Sequence, residues 1–228
     1  MLNQNLLFKL LSSDSKARME LDSNKIFNKI INKLNKKSIV LDIGANIGNV
    51  SNYILEKTNT TIFAFEPNRL CFEIMVRRFI DNERIKIYNL AVSNYQGTSE
   101  LYLHKNSKGI NDFNYIESSS LKNQKDNLAK ESKVMINVIN ISEILSKFNE
   151  IDLVKIDVEG SEYEILPALI AEQHKIKNVL CEFHGAFNNT NKNQMTNIKN
   201  RHFTKNYLDI INLLKEKNLY NNWLYEWF

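Results

Sequence analysis

The chain has 228 residues, 43% of them hydrophobic and 25% charged, which fits one domain with one core and excludes wholesale disorder, collagen-like repeats and a membrane bundle. Thirty Lys and Arg against 26 Asp and Glu leave a net charge of +4 with no long like-charge block, so the surplus does not indicate a nucleic-acid partner. Only Cys71 and Cys181 occur, far apart and flanked by apolar residues, which rules out a disulfide framework or a Cys-rich metal site and reads as two reduced core thiols.

The opening residues MLNQNLLFKLLSSDSK carry a short apolar stretch with no basic region before it and no small-residue cleavage pattern. No apolar run approaches about 18 residues, so no membrane span is expected and the cytoplasm is the default location. From Ser23 to Lys36, Ile26, Phe27, Ile30, Ile31 and Leu34 recur at helical spacing behind Ser23 as an N-cap, which predicts an amphipathic helix. Residues 1–36 then form a helical preface or lid to a main domain over 37–228.

Beyond it the pattern alternates. SIVLDIG reads as a buried strand, NVSNYILEK as a helix, TTIFAFEP as a strand, NRLCFEIMVRRFI as a helix opened by Pro67, and RIKIYNLAV as a third strand. Short apolar strands alternating with helices predict βαβ units and an α/β fold with a mostly parallel, doubly wound sheet. TSELYLH (Thr98 to His104) and KVMINVIN (Lys133 to Asn140) read as strands flanking a polar stretch from Lys105 to Glu131, long enough to be a functional loop. ISEILSKF is a short helix, IDLVKIDV a strand, SEYEILPALIAEQ a helix and NVLCEFH a strand. An Asn-rich surface loop from Asn188 to Asn200 and a helix from Lys205 to Lys217 follow. The aromatic tail NLYNNWLYEWF suits packing against the sheet or an oligomer interface better than nucleobase stacking.

Glycine is scarce, 6 in the chain, so each is expected where the backbone demands it. Gly44 and Gly48 share one turn, in Val40-Leu41-Asp42-Ile43-Gly44-Ala45-Asn46-Ile47-Gly48-Asn49. A strand there ends beside an acid, turns through glycine and enters a helix, so a ligand can approach bare backbone at the helix start. About 24 residues on, Phe65-Glu66-Pro67 places a carboxylate at the tip of the second strand, where it can accept hydrogen bonds from both ribose hydroxyls. A dinucleotide site wants G-x-G-x-x-G for its pyrophosphate, and here Asp42 would repel one. The acid suits the ammonium and sulfonium of S-adenosylmethionine better, while a bare turn would leave Glu66 without a purpose.

In Ile151 to Gly160 the strand period puts Leu153, Lys155 and Asp157 on one face, with Glu159 in the following turn, and the next strand supplies Glu182 and His184. If these strands are neighbours, five ionisable groups meet at strand tips, where doubly wound folds bind ligands; the competing reading is a structural ion-pair cluster anchored by Lys155. His104, His174 and His202 read as surface or structural residues, and Lys192, Lys199 and Arg201 as a solvated basic loop.

DIGANIGN, FEP, KIDVEGSE and CEFH, spread from Ser38 to His184, resemble the FkbM-type family of S-adenosylmethionine-dependent methyltransferases, KIDVEG being the most discriminating. The resemblance implies a class I Rossmann-like methyltransferase fold, a mostly parallel sheet with antiparallel additions, and O-methylation of sugars, polyketide tailoring sites or surface glycans. By position it implies that Asp42, Gly44, Asn46, Gly48 and Asn49 frame the methionine end, Glu66 and Pro67 the ribose, and Asn89 to Ala91 the adenine. Ser118 to Leu121 resembles a serine-rich element of the family.

Methyl transfer from a sulfonium is an in-line displacement, so the protein must align the reacting atoms and relieve the acceptor of its proton. His184 or Asp157 is the expected base, with Lys155, Glu159 and Glu182 orienting the acceptor. In a less favoured variant Asp157, Glu182 and His184 hold a divalent cation that acidifies the hydroxyl. The expected partner is a small-molecule or glycan acceptor. The competing readings are an RNA 2′-O-methyltransferase, which the weak charge disfavours, and a non-catalytic binding module. The loops Lys105 to Glu131 and Phe187 to Phe203 are expected to select the acceptor.

Overall fold

The computed structural model describes the backbone of residues 4–104, 128–184 and 198–227 and the side chains of 13–102, 133–184 and 205–227. In chain order its elements are α1 (Gln4–Ser23), α2 (Lys25–Ile31), β1 (Ile39–Ile43), α3 (Asn49–Lys57), β2 (Thr61–Phe65), α4 (Arg69–Arg78), β3 (Ile85–Tyr88), β4 (Ala91–Ser93), β5 (Gly97–His104), β6 (Leu128–Asn140), α5 (Ile141–Leu145), β7 (Leu153–Ile156), α6 (Glu162–Ala171), β8 (Val179–Cys181), α7 (Ile198–Glu216) and β9 (Leu224–Glu226). Six strands form one sheet in the order β3-β2-β1-β7-β8-β9, and every pairing in it is parallel. β4, β6 and β5 form a separate sheet, where the antiparallel pairing of the fold occurs, between β5 and β6.

The main strands read as apolar runs because both of their faces are covered. Leu41, Ile43, Val154 and Ile156 point into a core shared with α5, α6 and α7, while Val40, Ala64, Leu153 and Leu180 point into one shared with α2, α3 and α4. The chain leaves β1 towards β2 and β3 and returns on the other side through β7. The strand order therefore reverses between β1 and β7, which opens a crevice at their carboxyl ends. The register aligns those ends, setting Asp42 opposite Lys155 and Ile43 opposite Ile156.

Several local expectations change. α1 is a 20-residue helix that apolar periodicity does not disclose, because Leu21 is the one buried side chain among those described in it. The predicted helix from Ser23 shortens to α2 and its cap is Asn24, whose Oδ1 accepts from the Phe27 amide at 3.0 Å. Ser23 instead closes α1, donating to the Glu20 carbonyl. α4 likewise starts from an Asn68 cap rather than from Pro67. The single predicted strand over RIKIYNLAV is two strands in two sheets, broken at Asn89. β6 takes up the end of the expected polar loop and α7 starts inside the expected Asn-rich loop. Ser118 to Leu121 and Lys192 lie outside the described residues.

The aromatic tail packs on the sheet. β9 extends the parallel order beside β8, Trp223 donates its indole N–H to the Ile176 carbonyl at 2.6 Å, and Trp227 stands edge-on to Phe27 with ring centroids 4.9 Å apart. No described helix is long and apolar enough to cross a membrane. Phe27 is fully buried between Tyr53 and Trp227, so Phe27→Ala should cost about 3–5 kcal/mol, read as a lower urea midpoint at unchanged slope.

Candidate active site

The crevice between the β1 and β7 ends is a cavity of about 390 Å³. Of the residues singled out from the sequence, Gly44, Asn46, Asn49, Glu66, Pro67, Ala91, Lys155, Asp157, Glu159 and Glu182 line it. Asp42, Gly48, Asn89 and His184 are not on its surface and act from behind. Its charged lining consists of Glu20, Glu66, Asp157, Glu159 and Glu182 against Lys155.

The loop after β1 is fixed by contact between strand tips. The Gly44 and Ala45 amides both donate to the Phe65 carbonyl, at 3.0 Å each. Gly44 has φ +77°, and a Cβ there would collide with the Asp157 carbonyl, so this position requires glycine. Gly48 has a different reason. It is left-handed at φ +81°, and its missing Cβ makes room for the Phe79 ring, which would lie 2.6 Å away, so packing against the segment after α4 calls for glycine here. Asn46, at φ +52°, donates its amide to Glu66 Oε2 at 2.8 Å. Its own Oδ1 is buried with no donor among the described residues.

Glu66 is buried and also accepts from the Asn68 amide at 2.8 Å. Burial pushes its carboxyl up to about 7, against the pull of the two amides and Lys155. Asn89 does not reach the cavity but donates to the Glu66 and Pro67 carbonyls at 2.9 Å each, holding that corner from behind.

Lys155 is 2% exposed. Its Nζ donates to the Gly44 carbonyl at 2.9 Å and lies 3.4 Å from Asp157 Oδ2 and 3.5 Å from Asp42 Oδ1. Burial works against its charge, but Asp157 and Asp42 outweigh it and leave the ammonium above its ordinary value. Asp42, fully buried, also accepts at Oδ2 from the Ser51 hydroxyl at 2.6 Å. It therefore fixes Lys155 and α3 from beneath the cavity floor.

β7 and β8 are neighbours, and the five ionisable groups do come together. His184 Nε2 lies 3.4 Å from Glu159 Oε2, 3.4 Å from Glu182 Oε1 and 3.9 Å from Asp157 Oδ1. Glu159 reaches it because the turn bends back, with φ +56° at Glu159 and +119° at Gly160. Burial pulls the His184 imidazole down, yet hydrogen bonds and charge from Glu162, Glu182 and Glu159 push it up to about 10. Four carboxylates around one ring favour its protonated form. Asp157, Glu182 and His184 each offer a ligand atom within 4.8 Å of the others.

Glu162 is a functional residue the sequence reading missed. It is fully buried, accepting from the Gly160 amide at 2.9 Å and the His184 amide at 2.7 Å. One carboxylate thus joins the turn after β7 to the residue after β8. Its signal was an acid at the start of the apolar helix EYEILPALIA. Leu21 and Ala17 of α1 and Trp227 of the tail also line the cavity, and no motif announced them. His174 is exposed, 3.9 Å from Glu172. His104 and His202, with Lys199 and Arg201, fall in β5 and α7, where their side chains lie outside the described residues.

Comparison with known proteins agrees with this geometry. The chain matches the methyltransferase FkbM domain over residues 42–220. It is 27% identical over 177 residues to "Methyltransferase sdnD" of Sordaria araneosa, an alignment covering 67% of this chain and 68% of that protein. The chain in which a glycine turn, a buried glutamate and an acidic cluster meet at the sheet's switch point thus belongs to the FkbM methyltransferase family, whose members use S-adenosylmethionine.

Proposed function

We propose that the cavity binds S-adenosylmethionine and that the enzyme methylates a hydroxyl of a sugar, surface glycan or related small molecule. The observation that carries this reading is the cavity lining, five acids and one lysine beside a glycine turn. When bound, S-adenosylmethionine supplies the methyl group as a sulfonium. Glu66 receives the ribose hydroxyls, Asn46 and Asn49 face the methionine end, and Leu90 and Ala91 line the adenine side. Gly44 and Gly48 hold the turn, while Asp42 and Asn89 support it from behind, a change from direct contact.

A hydroxyl is a weak nucleophile until its proton leaves. Asp157, on the cavity surface, takes that proton. Lys155 holds Asp157 in place from 3.4 Å, and the His184 imidazolium holds Glu159 and Glu182 where they can orient the acceptor's other hydroxyls. A divalent ion on Asp157, Glu182 and His184 would have to displace the imidazole proton first. The acid excess favours a sulfonium and a neutral polyol and repels phosphodiesters, which argues against the RNA reading. The N-terminal segment 1–36 serves as a wall over the domain that follows it.

Three outcomes check the proposal. The Glu66 carboxyl near 7 binds ribose best when ionised, so affinity for S-adenosylhomocysteine should rise from pH 6 to pH 8, by at most about tenfold per pH unit, and level off above; calorimetry should find Glu66→Gln weaker and flat across this range. Gly44→Ala should abolish that binding, since its Cβ would push Asp157 away. Incubated with methyl-labelled S-adenosylmethionine and extracts of a strain lacking the gene, the protein should label a saccharide or small-molecule fraction. Asp157→Asn should cut the label by about 100-fold or more while still binding S-adenosylhomocysteine. RNase-sensitive label would establish RNA as the acceptor, and absence of binding at high micromolar ligand would leave only a non-catalytic module.

A further inference from the structure

α1 precedes the matched residues 42–220, yet Ala17, Glu20 and Leu21 form part of the cavity wall. Among its described side chains Leu21 alone is buried, and several polar ties accompany it. Asp22 meets Tyr53 at 2.6 Å and Lys57 at 3.2 Å near its C-terminal end, and Arg18 meets Glu56 at 2.7 Å in the middle. Further towards the N-terminus the ties change target. Asp14 Oδ1 receives Arg78 Nη2 at 2.7 Å, and Ser13 Oγ receives Asn49 Nδ2 at 2.9 Å.

Arg78 ends α4 and reaches two other elements at once. Besides Asp14, its Nη1 donates to Asn49 Oδ1 at 2.8 Å and lies 3.4 Å from the Ile47 carbonyl. The next residue, Phe79, fills the space that Gly48 leaves open. The end of α4 therefore braces the cofactor turn through two successive side chains, and one of them also grips α1. We infer that Arg78 is a positioning residue that clasps α1 to the Ile47–Asn49 turn, so that ordering of the turn by cofactor and closure of α1 over the cavity occur together. The Arg78–Asp14 pair is partly buried yet keeps 19% and 26% of its side-chain surface exposed, so water and salt can still reach the clasp and compete with it. Leu21 and Asp22 keep the far end of the helix in place when the clasp opens.

The inference rests on the cavity being the S-adenosylmethionine site, and S-adenosylhomocysteine is the probe for both. In hydrogen exchange the ligand should protect residues 13–23 of the wild-type protein and protect them less in Asp14→Asn. By calorimetry at low salt, Asp14→Asn should bind about two- to fivefold more weakly than wild type, and Arg78→Ala more weakly still, with Arg78→Lys recovering part of the loss. At 0.5 M salt, where ions screen the pair, wild type and Asp14→Asn should converge. Arg18→Gln, which cuts a tie of equal length that does not touch the turn, should stay within about twofold. An equal loss in Arg18→Gln and Asp14→Asn overturns the clasp, because general attachment of α1 would then set the affinity. Unchanged exchange over 13–23 on ligand binding to wild type overturns it as well, and that measurement needs no variant to fold. Failure of the wild type to bind S-adenosylhomocysteine sinks the cofactor reading instead.

Discussion

Lys155 is a buried cation at the point where the sheet reverses its strand order, and the geometry of the cavity depends on it. Its ammonium bonds the Gly44 carbonyl and faces Asp42 and Asp157, joining the end of β1 to the end of β7 just where a ligand would spread them. Taking such a charge out of water is costly, and the cost is offset only if its partners stay in place. Without Lys155, Asp42 would be a lone buried carboxylate with only Ser51 to satisfy it. Asp157 would lose its neighbour on the cavity floor. The ion pair is thus better understood as a device for holding two strand ends at one spacing than as a source of net stability.

The same logic extends outward through backbone amides. Glu66 ties the turn after β1 to the tip of β2 through Asn46, and Glu162 ties the turn after β7 to the residue after β8. Each of three strand junctions around the cavity is therefore spanned by one buried charged side chain. The helices cover the faces of the sheet and could slide on one another by small amounts. The charged cross-links have directional partners and cannot.

The legibility of the molecule follows from what each segment had to bury. β1, β2, β7 and β8 were readable because strands covered on both faces must be continuously apolar. Their ends were readable because Asp42, Glu66, Lys155 and Asp157 break that apolarity where nothing but function or pairing justifies it. α1 was opaque because, among its described side chains, only Leu21 is buried and the ties run through Ser13, Asp14, Arg18 and Asp22. β3 and β4 read as one strand because Asn89, the residue that breaks them, is polar in a run that alternates anyway, and its task, bonding the Glu66 and Pro67 carbonyls, depends on a chain segment more than twenty residues away. Glu162 was hidden by its neighbours: among four acids between Asp157 and Glu164, spacing alone does not say which one faces inward.

That inward acid also decides what His184 is. A histidine two residues after a glutamate at a strand end invites the role of base, and the sequence supports that role equally for His184 and Asp157. The fold adds Glu162 and Glu159 to the histidine's surroundings, and in a partly desolvated site each added anion favours the imidazolium. Asp157 receives the opposite treatment, with an ammonium at 3.4 Å and an open side on the cavity. One cluster thus gives two groups that look interchangeable in sequence different surroundings, carboxylates around the imidazole and an ammonium beside the Asp157 carboxylate. That difference arises from which strand tips the switch point brings together.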